Sequence, residues 1–104
     1  MEGMSILVVT EFIVAPSQRE KLIRLLTELR GYTTTQTGNL TCRILEDMED
    51  PSKVMTNEWW EYLEQWRRFQ IMRETGTLYR DIGEPVEALL SAPKSVRFFY
   101  TCVA

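Results

Sequence analysis

The chain has 104 residues, a net charge of −3, an apolar fraction of 44% and no histidine. That length suits a single domain, residues 1–104, able to fold without a metal or a disulfide, and the composition argues against disorder. The acidic balance argues against a nucleic-acid surface, and the missing histidine removes the commonest general base and metal ligand.

The start, MEGMSILVV, has no basic region ahead of its apolar run, and Ile6 to Val9 is far too short to span a bilayer. A cytoplasmic protein that makes no use of a membrane is expected. Residues 6–14 are rich in β-branched and aromatic types and predict a strand that is apolar on both faces. The next segment, APSQREKLIRLLTELRG, repeats Leu22, Leu25, Leu26 and Leu29 at helical spacing. Ser17 and Glu20 have capping-box spacing and Gly31 is a natural stop, so the first helix is expected over 17–30.

Gly38 and Asn39 lead into a second strand, expected over 40–48. Asp50 and Pro51 supply a tight turn, and a third strand is expected over 53–61. So short a turn makes the pair an antiparallel hairpin. Residues 62–74 read as a second helix, with Leu63, Trp66, Phe69 or Gln70, and Arg73 along one stripe and Gly76 at its end. The basic residues Arg67, Arg68, Arg73 and Arg80 read as a solvated helix face. A broken helical stretch follows, interrupted at Gly83, with Pro85 in the first turn of a short helix. The last strand is expected over 94–103.

The order β-α-β-β-α-β is that of an α+β, ferredoxin-like fold: a four-stranded antiparallel sheet with its helices on one face. The first strand nevertheless puts Ile6, Val8, Phe12 and Val14 on one side and Leu7, Val9 and Ile13 on the other. The last sets Val96, Phe98 and Tyr100 against Phe99 and Val103. A half-solvated sheet shows cleaner alternation, so a second copy covering the other face, a homodimer, is expected.

Cys42 and Cys102 each fall in a strand-like run and read as small buried apolar residues. They form no CxxC pair, and no structural zinc site or other metal site is expected. The acidic run Glu46, Asp47, Glu49, Asp50 lacks the glycine and spacing of a calcium loop and reads as a solvated turn.

The richest cluster is aromatic: Trp59, Trp60, Tyr62, Trp66 and Phe69. Alternation sends Trp59 and Trp60 to opposite faces. These rings either fill two cores or line a pocket between sheet and helices that accepts a flat aromatic ligand, with Trp66, Phe69 and Tyr62 as its binding residues. Glu58 shares the face of Trp60, and a carboxylate in such a pocket serves as a general base. Asn57 shares the face of Trp59 and is a weaker candidate for holding a substrate oxyanion. The plainer reading of each is a hydrogen-bonded rim residue. Tyr79 and Tyr100 are further candidates for orienting a phenol.

Several segments together resemble the antibiotic biosynthesis monooxygenase domain, a dimeric α+β barrel. They are the APSQRE helix start, Gly38-Asn39-Leu40 opening strand two, Glu49-Asp50-Pro51 at the hairpin, Glu58-x-Trp60 ending strand three, and LLSAPKSV before strand four. The resemblance implies a cofactor-free monooxygenase acting on a quinol- or anthrone-like aromatic, with Trp60 matching a pocket-lining tryptophan. Haem-degrading relatives use an asparagine in strand one, where this chain reads Val8-Val9-Thr10, and many members have a histidine where Phe69 stands here. These departures weigh against haem, so no cofactor is expected. A non-catalytic homodimeric module that binds a small ligand or joins an assembly is the alternative.

Overall fold

The computed structural model describes residues 5–102. Strand β1 (Ile6–Ile13) is followed by a 3₁₀ turn at Pro16–Gln18 and helix α1 (Arg19–Thr33). Strands β2 (Asn39–Glu46) and β3 (Lys53–Trp60) form the hairpin. Helix α2 (Leu63–Glu74) leads to a run made of α3 (Gly76–Leu78), a π turn (Tyr79–Gly83) and α4 (Glu84–Leu89), and β4 (Ser95–Tyr100) completes the sheet. The strand order is β2-β3-β1-β4, with every neighbouring pair antiparallel. This is the ferredoxin-like α+β arrangement that the element order predicts.

Side-chain alternation decides which face meets the helices. Ile6, Val8, Thr10 and Phe12 of β1 and Val54, Thr56, Glu58 and Trp60 of β3 are all buried beneath them. The residues between them in sequence face the other way and are half-buried. The core divides in two along the strands. Phe12, Val14 and Val54 pack with Leu22 and Leu26 of α1, Ile82 of the π turn and Val86 of α4. Ile6, Val8 and Trp60 pack with Phe69 of α2. Between the two clusters the sheet turns polar, at the paired Thr10 and Thr56.

Local chemistry departs from expectation at four places. The Ser17–Glu20 capping box does not form: no side chain caps α1, and the chain enters it through the 3₁₀ turn that Pro16 opens. Gly31 does not stop α1, which continues to the buried Thr33 and closes when Thr34 N–H reaches the Arg30 carbonyl. Gly83 does not break the later helical run, because the π turn passes directly into α4. Cys102 lies beyond β4 and is exposed, whereas Cys42 is buried as expected. Val103, expected on the outer face of the last strand, lies outside the described residues.

The hairpin turn owes its shape to two carboxylates. Asp47 Oδ1 accepts the Glu49 and Asp50 amides, and Asp50 Oδ1 accepts the Ser52 amide at 2.9 Å and its hydroxyl at 2.6 Å. The Ser52 hydroxyl, and after it the Ser52 amide, hold the Asp50 carboxyl pKa below its ordinary value. No helix among the described residues is long and apolar enough to cross a membrane.

Two glycines make opposite predictions. Gly31 sits inside α1 with nothing within 4 Å of an added Cβ, so Gly31→Ala should raise stability by about 0.5–1 kcal/mol. Gly38 has a φ of 90° and an added Cβ would run into the Gln65 amide, so Gly38→Ala should cost at least ~1 kcal/mol. Urea midpoints of the two variants, moving in opposite directions, check this.

Candidate active site

A cavity opens between the sheet and the helices at the polar break in the core. Its floor is formed by buried residues of all three longer strands: Thr10, Thr56, Glu58 and Cys42. Trp66, Gln70 and Arg73 of α2 form one wall, Leu29 and Arg30 of α1 another, and Tyr79 of the π turn stands opposite. The void measures about 710 Å³ including its open mouth and the adjoining solvent, and its interior space is about 60 Å³. A dry protein cavity that takes benzene measures about 150 Å³. A ring is therefore too large to be enclosed here and must reach into the mouth.

At the floor lies a buried ion pair. Glu58 is 3% exposed. Its Oε2 accepts Arg73 Nη1 at 2.9 Å and its Oε1 accepts the Trp60 indole N–H at 3.0 Å. Trp60 reaches it because residues two apart on a strand share a face. Arg73 reaches it from the last turn of α2, with its guanidinium carbon 4.6 Å above the Phe69 ring. Only 10% of the Arg73 side chain is exposed. Its expected place on a solvated helix face is therefore corrected: it belongs to the inward stripe of Leu63, Trp66 and Phe69. Arg73 Nε and Trp66 Nε1 are both buried and have no hydrogen-bond partner among the described residues.

The rim is held by a second set of contacts. Arg30 Nε donates to the Cys42 carbonyl at 2.7 Å. The Tyr79 hydroxyl donates to Glu87 Oε2 at 3.1 Å, and Lys94 Nζ lies 3.9 Å from Glu87 Oε1. The hydrogen bond to Glu87 raises the Tyr79 pKa above its ordinary value. Gly83 gives the Tyr79 ring its room, since a Cβ there would lie 2.7 Å from the ring and 3.0 Å from the Arg73 carbonyl. Burial pushes the Cys42 thiol up to about 11, and the nearby Glu58 charge adds to the effect.

The structure brings together only part of the expected site. Glu58 and Trp66 face the cavity. Trp60 and Phe69 are sealed behind it, their ring centroids 6.0 Å apart, and act on it only through Glu58 and Arg73. Tyr62 is 58% exposed at the start of α2, where its amide donates to Gln65 Oε1, because the turn out of β3 carries it away from the sheet. Asn57 lies on the opposite sheet face, as its alternation with Glu58 requires, and its Oδ1 is buried there without a partner among the described residues. Tyr79 lines the cavity, whereas Tyr100 is 69% exposed at the sheet edge. Arg73, Arg30, Thr10 and Thr56 were not expected at the site. The signal for Arg73 was present in its stripe, where it is the one charge among apolar and aromatic neighbours.

The sequence profile of antibiotic biosynthesis monooxygenases matches residues 5–74. The chain belongs to that family. Solved structures agree in fold across nearly the whole chain. A putative antibiotic biosynthesis monooxygenase from Nitrosomonas europaea superposes with a TM-score of 0.82 at 15% identity, over 98% of this chain and 94% of that one. A conserved protein from Methanosarcina mazei gives 0.79 at 16% identity, covering 92% and 91%. SnoaB from Streptomyces nogalater, a cofactor-independent oxygenase, gives 0.76 at 15% identity, covering 96% and 95%. The search of curated proteins gave no match.

Two measurements probe this family member's floor. Glu58→Gln and Arg73→Met should each cost about 3–5 kcal/mol by leaving a buried charge unpaired. The double variant should cost less than their sum by about 1–3 kcal/mol, read from urea unfolding. The second concerns Cys42. An unfolded thiol ionises near 9.0 and the folded one near 11, so its neutral form favours the folded state. That contribution is fully present below pH 9 and is lost as pH rises through 11, so the stability gap between wild type and Cys42→Ala should narrow over that range.

Proposed function

We propose that this chain is a homodimeric, cofactor-independent monooxygenase acting on a small quinol- or anthrone-like aromatic. The observation that carries the reading is a carboxylate, Glu58, fixed by two donors at the floor of a cavity whose mouth is walled by Trp66, Leu29 and Tyr79. The substrate ring rests in that mouth, and its acidic O–H or C–H points to the floor. Glu58 takes the proton; its carboxylate has about four lone-pair sites, and two are already engaged. The electron-rich anion then gives an electron to molecular oxygen, the two radicals join as a peroxide anion at the ring carbon, and the proton returned by Glu58 makes it a hydroperoxide. Loss of water leaves a quinone carbonyl, so one oxygen atom enters the product and the other leaves as water. Trp60 and Arg73 position the base, and the fold supplies a site shielded from bulk solvent.

The dimer is supported by the uncovered sheet face. Leu7, Val9, Ile13, Met55 and Trp59 lie there only half-buried, and the orphaned Asn57 amide oxygen lies among them. A second copy laid on this face would cover the apolar surface and offer the amide a donor. The reading as a non-catalytic binding module is favoured by one observation, that each oxygen of Glu58 already has a partner.

Oxygen uptake with a panel of quinols and anthrones separates the two. Glu58→Gln should lower kcat by about a hundredfold or more, and Trp60→Phe by less, in samples whose folding is checked by thermal unfolding. No turnover across the panel rejects the oxygenase, and equal turnover by both variants and wild type rejects the roles given to Glu58 and Trp60. Sedimentation at micromolar concentration should give a dimer, and a monomer there rejects the packing of sheet on sheet.

A further inference from the structure

The hydrogen-bonding demand left open in the cavity is one-sided. Arg73 Nε, on a side chain nine-tenths buried, and Trp66 Nε1 are donors without acceptors among the described residues. Each belongs to a side chain lining the same cavity. The Thr10 and Thr56 hydroxyls lie side by side on the floor and can donate to an occupant as well as accept from it. No orphaned acceptor faces this space among the described residues, since Asn57 Oδ1 lies on the other side of the sheet. Buried donors left unpaired cost free energy, so the occupant that suits this floor brings acceptor oxygens.

Charge narrows the choice further. Three cations stand on the walls, and two are matched: Arg73 by Glu58 at 2.9 Å and Lys94 by Glu87 at 3.9 Å. Arg30 has no carboxylate within ion-pair distance among the described residues. Its Nε is tied to the Cys42 carbonyl, which orients the guanidinium at the cavity and leaves both terminal nitrogens free. The unmatched acid, Glu74, stands exposed on the rim, bonded to Gln70 at 2.8 Å. The interior space of the cavity, about 60 Å³, is too small to enclose a ring, so any ring lies toward the mouth.

We propose that the ligand is an aromatic acid seated head-first, its carboxylate held between Arg30 and the open donors of Arg73, Thr10 and Thr56, with the acidic O–H or C–H beside it on the ring turned to Glu58. The ring then lies in the mouth against Trp66. This deepens the oxygenase reading by naming the substrate class, and it rests on that reading only for the choice of cavity. Arg30 is a specificity residue here, apart from the carboxylate that moves the proton.

The test is calorimetric binding without oxygen, comparing 4-hydroxybenzoate with its neutral isostere 4-hydroxybenzamide. The acid should bind wild type at least about tenfold more tightly than the amide, as a charge-assisted hydrogen bond implies. Arg30→Gln should erase that preference. Glu74→Gln should strengthen acid binding, because it removes a like charge from the path. Thr10→Val should weaken acid binding several-fold, with unfolding curves confirming that it is folded. Equal binding of acid and amide, a preference that survives Arg30→Gln, or no binding of either ligand overturns the proposal. A preference for the acid in a protein that consumes no oxygen removes the oxygenase and leaves this inference standing. Turnover of neutral quinols without any preference for the acid does the reverse.

Discussion

A carboxylate at the floor of a protein core must be matched, and much of this structure is arranged around matching Glu58. Two charges leaving water lose several kcal/mol of solvation each, which their attraction repays only when the geometry is good and remaining polar atoms are paired. Here the match is made by one residue on the same strand and one from a helix fifteen positions later. That second contact fixes how α2 lies across the sheet. Arg73 also carries a flat cation over Phe69, so the same side chain serves the charge at its tip and the aromatic packing beneath its plane.

The polar break in the core follows from this arrangement. Thr10 and Thr56 divide what would otherwise be one hydrophobic layer into two clusters, the first anchored by α1 and α4 and the second by α2. A sequence optimised for stability alone would place apolar residues at this pair. Local departures from good packing concentrate where a protein binds or reacts, and the cavity lies at this departure. The aromatic residues have the supporting role. Trp60 and Phe69 hold the pair from behind, and Trp66 turns its edge to Phe98 with ring centroids 4.9 Å apart, steadying the wall.

Strand periodicity made most of the fold legible in the sequence. A period of two separates Glu58 from Asn57 without further information, and it sets Trp60 and Trp59 on different layers. The element order then leaves little freedom of topology. Helix α2 was harder, because Arg73 continues the stripe of Leu63, Trp66 and Phe69 yet has the composition of a surface residue. Its burial depends on a partner in another element, and local pattern contains no such pair. The same limit applies to Arg30, whose role comes from the carbonyl of Cys42 across the layer. Tyr62 fails for the opposite reason: proximity in sequence to Trp60 carries no promise of proximity in space once the chain turns. At the helix ends, Pro16 and the buried Thr33 outweigh the signals at Ser17 and Gly31.

The π turn over Tyr79–Gly83 holds one residue more than an α-helical turn spanning the same rise. Helical segments before and after it keep their own hydrogen bonding, so the surplus residue is confined to the stretch that faces the cavity. The same turn also supplies Ile82 to the first core cluster, so the surplus residue serves the cavity on one side and the core on the other. Loss of a single residue there would draw the run into a continuous α-helix and carry the Tyr79 ring round the helix axis. A change of that size would reshape the mouth and draw Ile82 out of its place in the first core cluster. The bulge therefore ties the shape of the mouth to the packing of the core, and neither can be altered at this turn without the other.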